Sequence, residues 1–171
     1  VVVGSYVART TAQLAGLLKQ PGTVGLPLDV SLLPEGRAAV AASLVASVSH
    51  AHEQGLTPVV FTSRSERQFA SPAERLAFGE AVSATLMDVV RALPATLGFL
   101  VSKGGITSND VLSSGLALTA ARVLGQILPG VTVVQTPADH RLPRMPVVIF
   151  PGNVGGDDAL AEAYRRLSAQ A

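Results

Sequence analysis

The sequence predicts a single α/β domain with a mainly parallel sheet and helices on both faces. Two observations carry that prediction. Short unbroken apolar runs alternate from end to end with longer segments of helical period, and strands covered on both faces read as such runs. Three of the runs also empty into turns containing glycine just before a helical segment begins, at Gly4-Ser5, Gly104-Gly105 and Pro151-Gly152-Asn153.

The elements follow in order. Val1 to Val7 reads as a strand, and Ala8 to Leu18 as a helix with Leu14, Leu17 and Leu18 as its apolar stripe. Pro21-Gly22 ends that helix, and Thr23 to Leu33 is an extended segment interrupted by Pro27. A helix from Glu35 to Gln54 is opened by Pro34 and closed by Gly55. Thr57 to Thr62 is a strand. Ser71-Pro72-Ala73-Glu74 is a capping box with proline at the first helical position, and its helix runs to about Leu93. Gly98 to Ser102 is a strand, Ser108 to about Leu128 a helix, and Val131 to Gln135 another strand. The strand Val147 to Phe150 and the helix Asp157 to Ser168 complete the pattern.

Bulk properties narrow the function. A chain of 171 residues makes one well-buried domain. A net charge of +1 and 4% aromatic residues give neither the field nor the stacking surface that nucleic acid needs. The absence of cysteine removes disulfides, thiolate metal sites and cysteine nucleophiles, and fits a cytoplasmic protein. The longest apolar stretch, Ala38 to Val48, is too short to span a bilayer, so no membrane is expected. The chain opens on Val1 inside a strand, which reads as a piece of a longer protein.

The chemistry is expected at the three glycine turns. Glycine lets backbone N–H groups approach an anion, and a helix N-terminus favours negative charge, so Gly104-Gly105-Ile106-Thr107 reads as a phosphate cradle or a plain βα turn. It has neither the Walker spacing nor the Gly-x-Gly-x-x-Gly fingerprint of dinucleotide sites. Parallel strands would bring Ser5, this turn and Gly152 to one carboxyl edge of the sheet, where α/β proteins bind ligands. Lys103 reads either as a phosphate counter-charge or as an exposed strand end, and Asp157 as a helix cap. The segments Pro137 to Pro146 and Ser63 to Ala70 read as loops, the second carrying the charged cluster Arg64, Glu66 and Arg67. His50 and His52 point to different sides of one helix, which makes a shared metal difficult. His140 beside Asp139 is half of an acid–base pair with no Gly-x-Ser-x-Gly nucleophile to serve. Asp29 follows an apolar run and has no role readable from sequence.

Three motifs in this order resemble the nucleotide-binding C-terminal domain of the four-carbon acid sugar kinase family. They are Gly4-Ser5 followed by Thr10-Thr11-Ala12-Gln13-Leu14, then Ser102-Lys103-Gly104-Gly105-Ile106-Thr107-Ser108, then Pro151-Gly152-Asn153-Val154-Gly155. The resemblance implies ATP as co-substrate and assigns nucleotide contacts to Ser5, Gly104, Gly105, Ile106, Thr107 and Gly152. Phosphoryl transfer would add Mg²⁺ bridging the phosphates, with Asp110 as a supporting carboxylate and no protein metal site. The resemblance also implies a small acid sugar as partner, threonate, erythronate or a 3-oxo form, bound through an N-terminal domain outside this chain. Residues 1–171 are then the nucleotide-binding domain alone, inactive by themselves, and a homo-oligomer stays open. The rival readings are a nucleotide-dependent oxidoreductase or transferase of another class, and a binding or interaction domain without catalysis.

Overall fold

The computed structural model describes residues 1–63 and 68–169, apart from the side chains of Pro34 and Glu35. The charged cluster of Arg64, Glu66 and Arg67 lies outside the described residues. The strands are β1 (Val2–Val3), β2 (Thr23–Leu28), β3 (Thr57–Thr62), β4 (Leu100–Lys103), β5 (Arg122–Leu128), β6 (Val131–Gln135) and β7 (Pro146–Phe150). The helices are α1 (Ala8–Leu17), α2 (Leu33–Glu53), α3 (Pro72–Arg91), α4 (Gly105–Asp110) and α5 (Ala159–Ser168). A π-helical turn, Val111–Gly115, prolongs α4.

The strands form one sheet in the order β2-β3-β1-β4-β7-β6-β5. Its first five strands run parallel, and β5 and β6 are antiparallel to their neighbours. Successive strand side chains point to opposite faces, and the core divides accordingly. Val2, Val60, Leu100 and Val147 pack with Leu44, Leu86 and Val90 of α2 and α3. Their chain neighbours Val3, Val59, Val101 and Val148 pack with Leu14 and Leu17 of α1 and Leu160 and Leu167 of α5. Helices therefore cover both faces, as the unbroken apolar strands require.

Topology fixes where a ligand fits. β1 lies between β3 and β4. The chain leaves β1 toward the face of α1 and α5, whereas beyond β4 it packs with α3 on the opposite face. Connections diverging from adjacent parallel strands open a crevice at their carboxyl ends.

Several boundaries differ from the sequence expectation. Only Val2–Val3 of the first apolar run pairs in the sheet, because the chain turns out at Gly4 against the α4 segment. The extended segment from Thr23 ends at Leu28, and Asp29 begins a 3₁₀ turn over Val30–Leu32 by accepting the Ser31 N–H at 2.9 Å. That explains Asp29. The capping serine of α3 accepts the Glu74 N–H at 3.2 Å, while the Glu74 carboxylate reaches the Ala70 N–H at 2.9 Å.

The largest correction concerns Ser108 to Leu128. That segment is not one helix: α4 and its π turn stop at Gly115, and Arg122–Leu128 is the edge strand β5, paired with β6. Gly125 sits at φ +137°, a conformation closed to a right-handed helix, at an irregularity in the β5–β6 register. Pairing across Pro129-Gly130 overrode the helical propensity of Ala, Leu and Gln.

Because the Cβ position of Gly125 faces open space, Gly125→Ala introduces backbone strain without a clash. It should lower unfolding stability in urea by about 1–2 kcal/mol. Unchanged stability would show that the hairpin tolerates another backbone at this point.

Candidate functional site

The loops after β1, β4 and β7 meet at the crevice. Thr107 packs directly over Gly4, where a Cβ would fall 2.1 Å from the Thr107 hydroxyl oxygen. Gly104, at φ +119°, opens α4, and a Cβ there would stand 3.0 Å from Ser5 Cβ. Conformation and space both call for glycine at that point. The Gly104 N–H donates to the Phe150 carbonyl at 2.9 Å, which stitches the end of β4 to β7. Ser108 donates its hydroxyl to the Ser102 carbonyl at 3.1 Å, and its own N–H to Gly104 at 2.9 Å.

Gly104 has no side chain with which to cap α4. The N-cap residue therefore supplies no side-chain acceptor to the N–H groups of Gly105, Ile106 and Thr107 at the start of the helix. Space around the Cβ position of Gly105 is open to 4 Å. These donors suit the oxygens of a phosphate.

Lys103 lies behind the turn with none of its surface exposed. Its ammonium donates to the Pro151 carbonyl at 2.6 Å and to the Gly152 carbonyl at 3.3 Å. It also stands 4.2 Å from the centroid of the Phe150 ring. Burial, and secondarily the nearby Arg9 charge, lower its pKa to about 8. Of the two sequence readings of Lys103, the exposed strand end is excluded.

α1 holds the third loop from the other face. Thr10 Oγ1 lies 3.1 Å from Ser5 Oγ and 3.2 Å from the Gly152 carbonyl. Gln13 Nε2 reaches the carbonyls of Val154 at 2.9 Å and Gly156 at 2.8 Å, and Arg9 donates to Gly155 at 2.9 Å. Sequence reasoning placed Thr10 and Gln13 in the first motif but gave them no role. Their signal was position: the buried face of α1 is Thr10, Gln13, Leu14 and Leu17, so two polar residues occupy an apolar stripe at helical spacing. Leu18, expected in that stripe, is at the exposed margin.

The structure brings Ser5, Gly104, Thr107 and Gly152 together. A Cβ on Gly152 would meet Ser5 Oγ at an ordinary 3.4 Å, and Gly152 is not among the positive-φ glycines. Gly105 and Ile106 contribute backbone, since the Ile106 side chain is 80% exposed. Asp110 accepts a hydrogen bond from Ser83 Oγ on α3. Asp157 does not cap α5, which begins after Asp158 without a side-chain cap. His140 accepts the Leu142 N–H at Nδ1, 3.1 Å, and so donates from Nε2 to the Leu116 carbonyl at 2.8 Å. Both ring nitrogens are committed to backbone, a structural role. Among the described residues no three His, Cys, Asp or Glu side chains form a group able to hold a metal. No described helix is long and apolar enough to cross a membrane.

Lys103 gives a pH signature. The unfolded chain keeps this proton to about pH 10.5, whereas the fold releases it near pH 8. Between those values the unfolded state binds more protons, so stability rises with pH through this window. Urea unfolding of the parent and of Lys103→Met should therefore diverge from pH 8 to 10, with the rise confined to the parent. Parallel curves would show that Lys103 titrates normally.

The sequence matches the family description of a nucleotide-binding C-terminal domain over residues 1–160. No curated protein matches it. Among solved structures, it is similar to a DUF1537 protein from Bordetella bronchiseptica, a domain-swapped dimer with bound citrate, at TM-score 0.74 and 21% identity. That alignment covers 97% of this chain and 40% of the other. A DUF1537-family protein from Haemophilus influenzae aligns at TM-score 0.73 and 19% identity, over 97% and 39% of the two chains. A Salmonella typhimurium LT2 protein provisionally named a tRNA synthase aligns at TM-score 0.68 and 22% identity, over 96% and 40%. These likenesses establish the fold, and the chain spans about two fifths of the length of those proteins. The match over residues 1–160 shows that the chain belongs to the nucleotide-binding C-terminal domain family, the domain its three motifs resemble.

Proposed function

We propose that this chain is the ATP-binding part of a kinase that phosphorylates a four-carbon acid sugar of the threonate, erythronate or 3-oxo-tetronate type. The observation that carries the reading is the run of uncapped N–H groups from Gly105 to Thr107, set at the crevice beside the buried Lys103 charge. Phosphoryl transfer requires positioning and charge neutralisation more than covalent help from the protein.

In this reading the α4 N-terminus holds phosphate oxygens, and Lys103 keeps the β7 loop in place while lending its charge from below. Ser5 and Gly152 line the same edge and orient the nucleotide. Mg²⁺, held mainly by the phosphates, supplies charge neutralisation, and Asp110 is the supporting carboxylate. The acid sugar and the group that removes its hydroxyl proton belong to a further, N-terminal domain. The domain-swapped dimer of the Bordetella protein supports a homo-oligomer.

Calorimetry tests the proposal. The chain should bind ATP, more tightly with Mg²⁺, and should phosphorylate no four-carbon acid by itself. Thr107→Ala should weaken ATP by roughly 1 kcal/mol, about fivefold, through loss of one hydroxyl contact. Turnover by this chain alone, or unaltered ATP affinity in a folded Thr107→Ala variant, would contradict the reading.

A further inference from the structure

We propose that Arg9 binds a phosphate oxygen of the nucleotide, an inference that rests on the ATP reading above and adds a residue to it. Arg9 lies in the first turn of α1, so it stands at the carboxyl edge of the sheet, one residue before Thr10. Thr10 in turn touches Ser5 Oγ and the Gly152 carbonyl, and those two residues orient the nucleotide in that reading.

The Arg9 charge is placed unfavourably in three ways. The first turn of α1 contains no acidic residue, and the positive end of a helix dipole repels a cation. Among the described residues Arg9 forms no ion pair, whereas Arg37, Arg91, Arg165 and Arg166 each meet a carboxylate at 2.5–2.7 Å. A second cation, Lys103, lies close enough for the Arg9 charge to help drive off its proton. Local rules broken together in this way mark a site where function, not stability, selects the residue. A bound anion relieves all three.

The two cations hold one loop. Lys103 donates to the Pro151 and Gly152 carbonyls from the buried side, and Arg9 Nη1 donates to the Gly155 carbonyl at 2.9 Å from the exposed side. A guanidinium carries five N–H donors, and this hydrogen bond uses one of them. Its planar fork matches phosphate, which accepts two parallel N–H groups. A polyphosphate carries several negative charges, so it answers two cations better than the single carboxylate of an acid sugar does. Lys103 has no surface with which to touch a ligand. Arg9 therefore makes the direct contact, and Lys103 acts through its field.

Arg9→Gln and Arg9→Lys supply the test, read by melting curves and by titration calorimetry with ATP and inorganic tripolyphosphate. Arg9→Gln should melt no lower than the parent, because it relieves the repulsion from Lys103 and from the α1 dipole. It should lose about tenfold in affinity for ATP and tripolyphosphate alike, through loss of one charge-assisted contact. Arg9→Lys keeps the charge without the fork and should recover part of that loss. Unchanged ATP affinity in Arg9→Gln would overturn the assignment, since Arg9 would then serve another anion or none. So would a fall for ATP with tripolyphosphate unaltered, because Arg9 would then meet the nucleoside. A lower melting temperature, with a loss of ATP that Arg9→Lys leaves unrepaired, would show that Arg9 only holds Gly155 in place, and would overturn it too. A parent chain that binds neither ATP nor tripolyphosphate would instead overturn the nucleotide reading, and this inference with it.

Discussion

The buried ammonium of Lys103 is the interaction on which the arrangement of this domain depends. A lysine at a strand end ordinarily extends its charge into water. This one has no exposed surface, and two carbonyls of the β7 loop together with the face of Phe150 replace part of the lost hydration. The same contacts fix the loop at Pro151-Gly152 relative to the turn at Gly104. A cation held in a low-dielectric floor interacts more strongly with a bound anion than a surface cation does. An arriving phosphate would restore the lysine's preference for the charged state, so the cost of burial and the attraction for nucleotide share one origin.

The other contacts at the sheet edge follow from topology. β1 and β4 are neighbours whose chains continue to opposite faces, so no helix covers the gap between their ends. Gly4 and Gly104 let the two loops stack on one another through Thr107 and Ser5. α1 then closes the other side, with Thr10 and Gln13 bonded to backbone carbonyls of the loop from Gly152 to Gly156. Rigidity of the edge therefore comes from side chains bonded to backbone. That arrangement leaves the N–H groups at the start of α4 for a ligand.

Much of this was legible in the sequence, for physical reasons. Parallel strands buried on both faces must be apolar without alternation, and that made β3, β6 and β7 readable to within a residue or so. The capping box of α3 and the glycines before α4 are local devices, visible without tertiary context. β5 was not legible. Its residues favour helix, and only Gly125 and the partner strand β6 decide otherwise. The lysine, too, was ambiguous, since one residue type serves both a wet strand end and a buried counter-charge, and the choice depends on Phe150 and Pro151 nearly fifty residues away.

The central claim is that nucleotide phosphates bind at the crevice between β1 and β4, on the backbone at the start of α4. Backbone amide chemical shifts recorded during titration with ATP and Mg²⁺ test it most directly. The account predicts that the largest changes fall on Gly105, Ile106 and Thr107, with smaller ones on Ser5 and Gly152. Changes centred on the β5–β6 hairpin or on α2, with the amides of residues 105–107 unmoved, would contradict it.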